Sequence, residues 1–200
     1  MSQTHLDILG RAFLSYANIP QSELEYVAQR CAPLNLPEGA FFVQAGDAAD
    51  RFGYVLSGTL RKFYTLEDGR EFTRAFVGGG DWAGCYASIL EGTPATMTVQ
   101  AVTEAQLVVL PVELIHALYD RHPAWDRVGR KIAEKEFIER ERREYELLCE
   151  SASQRYVRLR RERPELLASV HQYLLASYLG VTPVSLSRIR ASLRDQPIEG

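Results

Sequence analysis

The 200-residue chain carries 23 Lys and Arg against 26 Asp and Glu, a net charge of −3, with 46% apolar residues. That length suits one large domain or two small ones, and the mild acidity argues against a generic nucleic-acid coat. No apolar run of about 18 residues marks a transmembrane helix, so no membrane partner is expected.

The first residues, MSQTHLDILGRAF, lack a basic segment followed by a long apolar core, so they do not read as a secretion signal. Three scattered cysteines (Cys31, Cys85 and Cys149) make no paired framework and fit a reducing cytoplasm, the expected location. The chain reads as helical to about Cys31, with Leu6, Leu9, Phe13 and Leu14 on one face. Within that stretch, Ser22 and Glu25 have the spacing of a capping box.

From Ala32 to Pro111 the texture changes to short apolar runs broken by glycine. Asp68-Gly69, between Thr59–Leu66 and Glu71–Val77, is a hairpin signal, and the spacing predicts a sandwich, jelly roll or barrel of roughly eight strands. A helix over Val112–Tyr119 is expected next, then a long helix from Pro123 to about Glu150. Its apolar stripe of Trp125, Val128, Ile132, Ile138, Tyr145 and Leu148 is interrupted by Lys135 and Glu136. We expect Trp125, Val128, Ile132, Ile138 and Tyr145 to serve a dimer interface, the alternative being packing on the chain's own barrel.

The most specific segment is QYLLASYLGVTPVSLSRIRASL, residues 172–193. Leu174, Leu175, Ala176 and Leu179 make the inner face of a short helix that Gly180 ends in a left-handed turn. Thr182 then caps a second helix with Pro183 in its first turn. Leu186, Ile189 and Leu193 face inward at helical spacing, while Ser185, Ser187, Arg188 and Arg190 face outward. This is the pattern of a helix-turn-helix, whose second helix enters the major groove; an ordinary helical hairpin is the alternative. Charge points the same way. Residues 151–200 hold eight arginines against four acids, net +4, on a remainder of net −7. Arg158, Arg160, Arg161 and Arg163 alternatively form a solvated helix face.

In this order of elements the chain resembles the Crp/Fnr family of the catabolite activator protein, over nearly its whole length. The matching pieces are Pro37-Glu38-Gly39, Gln44-Ala45-Gly46-Asp47, Val55-Leu56-Ser57-Gly58, Gly80-Asp81-Trp82 with Gly84, and Val99-Gln100-Ala101. The stretch from Ala176-Ser177-Tyr178-Leu179-Gly180 through Ser187-Arg188-Ile189-Arg190 resembles a short subgroup of that family. The resemblance implies an α+β protein. Residues 1–120 would form N-terminal helices and a cyclic-nucleotide-binding-like jelly-roll barrel, 121–150 a dimerisation helix and 151–200 the helix-turn-helix domain.

Family barrels that hold cyclic nucleotides use an arginine on the phosphate and a glutamate on the ribose hydroxyl, because a buried anion needs a guanidinium and the hydroxyl a carboxylate. The alignment puts Cys85 at the glutamate position and Ala95 at the arginine position, with Thr96 beside it. Losing both contacts should abolish useful affinity for cyclic AMP or cyclic GMP, unless Arg61, Lys62 or Arg74 replaces the charge. Trp82, Gly84, Cys85, Tyr86, Ala95 and Thr96, with Ile89, Leu90 and Met97, outline either a pocket for an uncharged small-molecule effector or collapsed core. Cys85 is either a thiol switch or a small buried apolar residue. No cofactor is expected. Three cysteines cannot hold a four-cysteine cluster, and residues 6–115 contain no histidine for haem or for a cupin-like metal enzyme.

In the recognition helix, about 182–193, the resemblance implies base contacts from Pro183, Val184, Ser185 and Arg188. Thr182, Ser187 and Arg190 would contact phosphates. The Arg188 fork suits guanine O6 and N7, whereas Val184, where many relatives have glutamate, offers apolar contact only. Seven residues follow Leu193, too few for a β-hairpin wing, so a modest salt dependence is expected. The implied partners are double-stranded DNA with a palindromic site, a second copy of the chain, and RNA polymerase. No nucleophile, base and acid assemble from four histidines, so no enzyme activity is expected. A ligand-binding or interaction module with a helix-turn-helix that no longer binds DNA remains the competing reading.

Overall fold

The structure, a computed structural model, describes residues 3–193. The chain divides into two compact units, one of residues 1–62 and 76–137, the other of 63–75 and 138–200. By this division the long helix is shared between the two units, and the tip of one strand hairpin joins the C-terminal unit.

In the first unit the stretch read as helical to about Cys31 forms two helices, α1 (Gln3–Tyr16) and α2 (Gln21–Ala28). Proline at position 20 cannot continue a helix and serves as the N-cap of α2 without a side-chain cap. Ser22 therefore lies inside α2, and the expected capping box does not form; Gln21 Nε2 instead donates to Glu25 Oε1 at 3.2 Å. Leu9 and Phe13 are buried, but Leu14 is exposed.

Eight strands follow in two four-stranded sheets, ordered β1-β8-β3-β6 and β2-β7-β4-β5. They are β1 (Ala32–Leu36), β2 (Phe41–Val43), β3 (Arg51–Ser57), β4 (Leu60–Thr65), β5 (Glu71–Val77), β6 (Trp82–Ala83), β7 (Thr98–Ala101) and β8 (Ala105–Pro111). β8 lies antiparallel between β1 and β3, with Leu34 opposite Leu107 and Tyr54 opposite Val108. The β4–β5 turn closes where Asp68-Gly69 predicts it: Leu66 N–H donates to Arg70 O at 2.9 Å, and Gly69 has φ of 80°. Between β6 and β7 sits α3 (Tyr86–Glu91), and after β8 come α4 (Val112–Arg121) and α5 (Ala124–Cys149).

One hydrophobic cluster gathers Leu9 and Phe13 of α1, Phe52 and Tyr54 of β3, Trp82, Leu114 and Leu118 of α4, and Trp125 and Val128 of α5. Phe13 meets Trp125 edge-on at 5.1 Å and Trp82 at 5.7 Å. Removing such side chains from water, at about 25 cal/mol per Å² of apolar surface, holds the helices on the sheet. A buried carboxylate sits at the rim: Glu23 accepts from Arg121 Nε at 3.1 Å, Arg121 Nη2 at 2.8 Å and Trp125 Nε1 at 3.1 Å. The hydrogen-bonded Arg121 guanidinium lowers the Glu23 pKa, against the opposing effect of burial.

The described part of the second unit holds the hairpin tip, the C-terminal half of α5, and α6 (Ala152–Glu162), α7 (Pro164–Ser169), α8 (Gln172–Leu179) and α9 (Pro183–Ser192). Ser151 caps α6 in a reciprocal box with Gln154. Tyr156, Leu159, Leu166, Leu174, Leu175, Leu179 and Leu186 are buried within these helices.

Candidate functional site

The α8–turn–α9 geometry follows from four residues. Gly180 takes φ of 69°, a left-handed conformation that releases the chain from α8, while its N–H bonds back to the carbonyls of Ala176 and Ser177. Two residues later Thr182 Oγ1 accepts from Ser185 N–H at 3.2 Å, and Pro183 occupies the first helical position. Leu186 is 1% exposed and Leu193 is buried, so one side of α9 is fixed against α8 and α6; Ile189 is half-buried. The opposite side presents Pro183, Val184, Ser187, Arg188 and Arg190 to solvent, with Thr182 exposed at the cap and Ser185 half-buried. Val184 is 62% exposed, unusual for a β-branched apolar residue that had a core to join.

The helix-turn-helix is anchored by guanidinium groups. Arg155 of α6 donates to Leu179 O from Nε at 3.1 Å and Nη2 at 2.9 Å, to Glu146 O at 3.1 Å, and to Glu150 O. It thereby caps the C-terminal carbonyls of both α8 and α5, where the negative ends of the helix dipoles favour a cation. Arg143 bonds Tyr178 O and lies over the Tyr178 ring at 4.0 Å. Arg158 pairs with Glu146, Glu150 and Glu162, and Arg160 donates to Leu193 O at 3.2 Å. The basic excess after residue 151 is therefore partly structural: Arg158, Arg160 and Arg163 are engaged within the unit, with Arg163 on Glu165 at 2.6 Å. Arg161 pairs with Glu162 at 2.9 Å. The groups displayed on α9 are Arg188 and Arg190; Arg194, Asp195, Glu199 and the stretch judged too short for a wing lie outside the described residues.

A second anchor was invisible in the sequence. Ser177 Oγ of α8 accepts from Thr73 N–H at 2.9 Å and donates to Glu71 O at 2.8 Å. The serine thus completes the hydrogen bonding of the β5 backbone at the hairpin tip.

Around the expected effector residues, α3 and the segment before β7 pack together. Cys85 is 2% exposed and its thiol donates to Met97 O at 3.2 Å, while Ala95 is 3% exposed. Ser88 Oγ accepts from Thr96 N–H at 3.3 Å, and the Thr96 side chain is exposed, as is Leu90 at 68%. Gly84 is buried. Trp82 and Tyr86 also line a cavity on the helix-covered side of the β1-β8-β3-β6 sheet. Cys85 and Ala95, which the resemblance sets at the ribose and phosphate positions, carry no charge. Nor do neighbouring cations supply one: Lys62, 3% exposed, pairs with Glu136 at 3.2 Å, and Arg61 gives Nε and Nη2 to Gln100 Oε1 at 3.1 and 2.8 Å. Lys135 pairs with Asp81 at 2.8 Å. Lys135 and Glu136, which interrupt the apolar stripe of α5, are thus its ion-pair contacts to the barrel.

That stripe also divides differently from the expected dimer face. Trp125 and Val128 are 2% and 3% exposed in the barrel's own cluster, with Ile132 packed against it, so they are not surface residues of this chain. Phe137, Ile138, Tyr145 and Leu148 are the exposed large apolar residues of α5. Among the described residues, no three His, Cys, Asp or Glu side chains group to hold a metal ion, and no helix is long and apolar enough to cross a membrane.

Known proteins match this arrangement. The cyclic nucleotide-binding domain family matches residues 33–122. A CRP-like cAMP-activated global transcriptional regulator of Mycobacterium tuberculosis is 24% identical over 130 residues, 64% of this chain and 57% of that protein. The match thus spans little more than half the length of that relative. FixK2 from Bradyrhizobium japonicum superimposes with a TM-score of 0.73 at 20% identity, covering 83% of this chain and 85% of that one. The c-di-GMP responsive regulator CLP of Xanthomonas campestris does so at 0.71 and 19%, covering 88% and 92%. Residues 33–122 thus match the cyclic nucleotide-binding domain family, and the described chain shares the fold of these solved regulators.

Proposed function

We propose that this protein is a dimeric, sequence-specific transcriptional regulator that reads double-stranded DNA with α9. The observation that carries the reading is the solvent-facing side of α9, where Val184, Ser187, Arg188 and Arg190 stand outward on a helix that Leu186 and Leu193 fix from behind. Arg188 is positioned as the base-specific fork, Val184 as an apolar contact suited to a thymine methyl, and Thr182, Ser187 and Arg190 as phosphate contacts. The exposed apolar residues Ile138, Tyr145 and Leu148 follow one another at seven and three residues along α5, which suits a helix-to-helix seam with a second copy. Activity in a reducing cytoplasm, and an engagement with RNA polymerase, belong to the same reading.

In this reading the barrel does not bind cyclic AMP or cyclic GMP and senses another small ligand or none, because Cys85 and Ala95 stand where the resemblance sets the charged ligands and both are buried. Selection of bound duplexes from a random pool, at about 0.15 M salt, tests the proposal. A two-fold symmetric site with half-sites about 34 Å apart is expected, and Arg188→Ala should lose about 1–3 kcal/mol per half-site with relaxed base preference. Binding by Arg188→Ala equal to the parent chain would overturn the groove assignment.

A further inference from the structure

The exposed side of α9 has two flanks with different surroundings. Val184 and Arg188 share one flank, and Ser187 and Arg190 share the other. Beside the second flank lies an open cleft of about 350 Å³ between α6, α8 and α9, walled by Arg160, Gln172, Ser187 and Arg190 together with the buried Tyr156 and Leu193. Arg160 is held there by its own bond, Nη1 donating to Leu193 O at 3.2 Å. The side chains of Gln172, Ser187 and Arg190 make no hydrogen bond or ion pair among the described residues, whereas Arg158, Arg161 and Arg163 each pair with a glutamate. The cleft thus carries two guanidinium groups and no carboxylate. Helix α8 adds to this field: Gln172 is its first residue, and no side chain caps its first turn.

We infer that this cleft seats a single phosphate of the DNA backbone, held by Gln172 of α8 with Ser187 and Arg190 of α9, while Arg160 of α6 supplies charge beside them. Guanidinium, amide and hydroxyl donors from three helices suit the several oxygens of one phosphate, and an acid-free cleft does not repel its charge. The volume is many times that of one water, about 30 Å³, so a phosphate enters without crowding and its flanking sugars stay in solvent. The inference rests on α9 reading DNA. It adds Gln172 and Arg160 to the interface and sets Ser187 and Arg190 on one phosphate, not two. Val184 and Arg188 on the other flank are left to face the base edges, so reading and anchoring are divided around the helix axis.

A double-mutant cycle on the intact chain tests the shared seat. Gln172 and Arg190 are exposed, so their replacement leaves the fold intact. On the duplex that the parent chain selects, Arg190→Gln should weaken binding by about tenfold per half-site and Gln172→Ala by about threefold. Because both hold one phosphate, the double variant should lose about tenfold, not about thirtyfold. Base preference should stay that of the parent, since phosphate contacts carry no sequence. Duplexes with one neutral methylphosphonate at each backbone position in turn identify the phosphate. One position per half-site should cost the parent about tenfold, Gln172→Ala about threefold and Arg190→Gln less than about twofold. Additive losses in the double variant, or two variants that respond to different methylphosphonates, would overturn the shared seat while α9 remains the reading helix. A parent chain without base preference would fail the DNA reading itself, and the same cycle on a duplex of arbitrary sequence then decides the seat, additivity again overturning it. No duplex binding at about 0.05 M salt would overturn both.

Discussion

Replacing Arg155 with alanine should uncouple the helix-turn-helix unit from its own support. One guanidinium donates to the carbonyls of Leu179, Glu146 and Glu150. A hydrogen bond from a charged donor is worth about 1.5–3 kcal/mol, but Arg155 is only half-buried and water can reach some of the released carbonyls. Discounting for that access leaves about 2–4 kcal/mol for the whole cap. For a domain of roughly 60–100 residues, each kcal/mol moves the midpoint by about 4–8 °C, so a fall of roughly 10–25 °C is expected. The assay exploits the placement of both tryptophans in the other unit. Helical signal at 222 nm should melt early while tryptophan fluorescence keeps its parent midpoint, and Arg155→Lys, which keeps the charge but not the fork, should recover less than half of the loss. A helical midpoint within about 2 °C of the parent would refute the capping argument. Joint movement of both signals would refute the independence of the two units.

Other outcomes follow from the same geometry. Thr182→Ala should cost about 1 kcal/mol of stability and weaken DNA binding without altering base preference, as read by denaturant melts beside binding to matched and mismatched duplexes. Removing either partner of the Lys62–Glu136 pair, as Lys62→Met or Glu136→Leu, should cost about 2–4 kcal/mol, and the double variant should recover most of it in a double-mutant cycle of urea midpoints. Glu23 has a lowered pKa because of its Arg121 hydrogen bond, so its contribution is present above the ordinary carboxylate value near 4.5 and lost as pH falls below it. Glu23→Gln should flatten that part of the acid-unfolding curve, followed by fluorescence; an unchanged curve would remove Glu23 from the account.

The helix-turn-helix was legible because its determinants are local. Gly180, Thr182 and Pro183 specify a stop, a cap and a start within four residues, and each takes the conformation its chemistry favours. Strands were legible through glycine-broken apolar runs, and the β4–β5 turn through Asp68-Gly69. Long-range partners were not legible. Lys62 finds Glu136 across 74 positions and Lys135 finds Asp81 across 54, so in the sequence these charges read only as breaks in a stripe. Trp125 and Val128 look alike on a dimer face and in a core, because periodicity gives the face of a helix but not what covers it. The arginines after residue 151 were ambiguous for a similar reason: composition counts charge and says nothing of the carboxylates and carbonyls that occupy it. Pro20 was the one local signal left unused, and it ends the N-terminal helix where its missing N–H requires.

The bridge from Ser177 to Glu71 and Thr73 has a consequence for synthesis. A polypeptide leaves the ribosome from its N-terminus, and residues 63–75 emerge long before α8 exists to receive them. Contacts separated by 104 and 106 positions form late, since the loop between their ends must close first. The hairpin tip is synthesised with the barrel strands, and the C-terminal helices complete their unit by docking onto that tip. A fragment beginning at residue 138 would be born without one of its own walls.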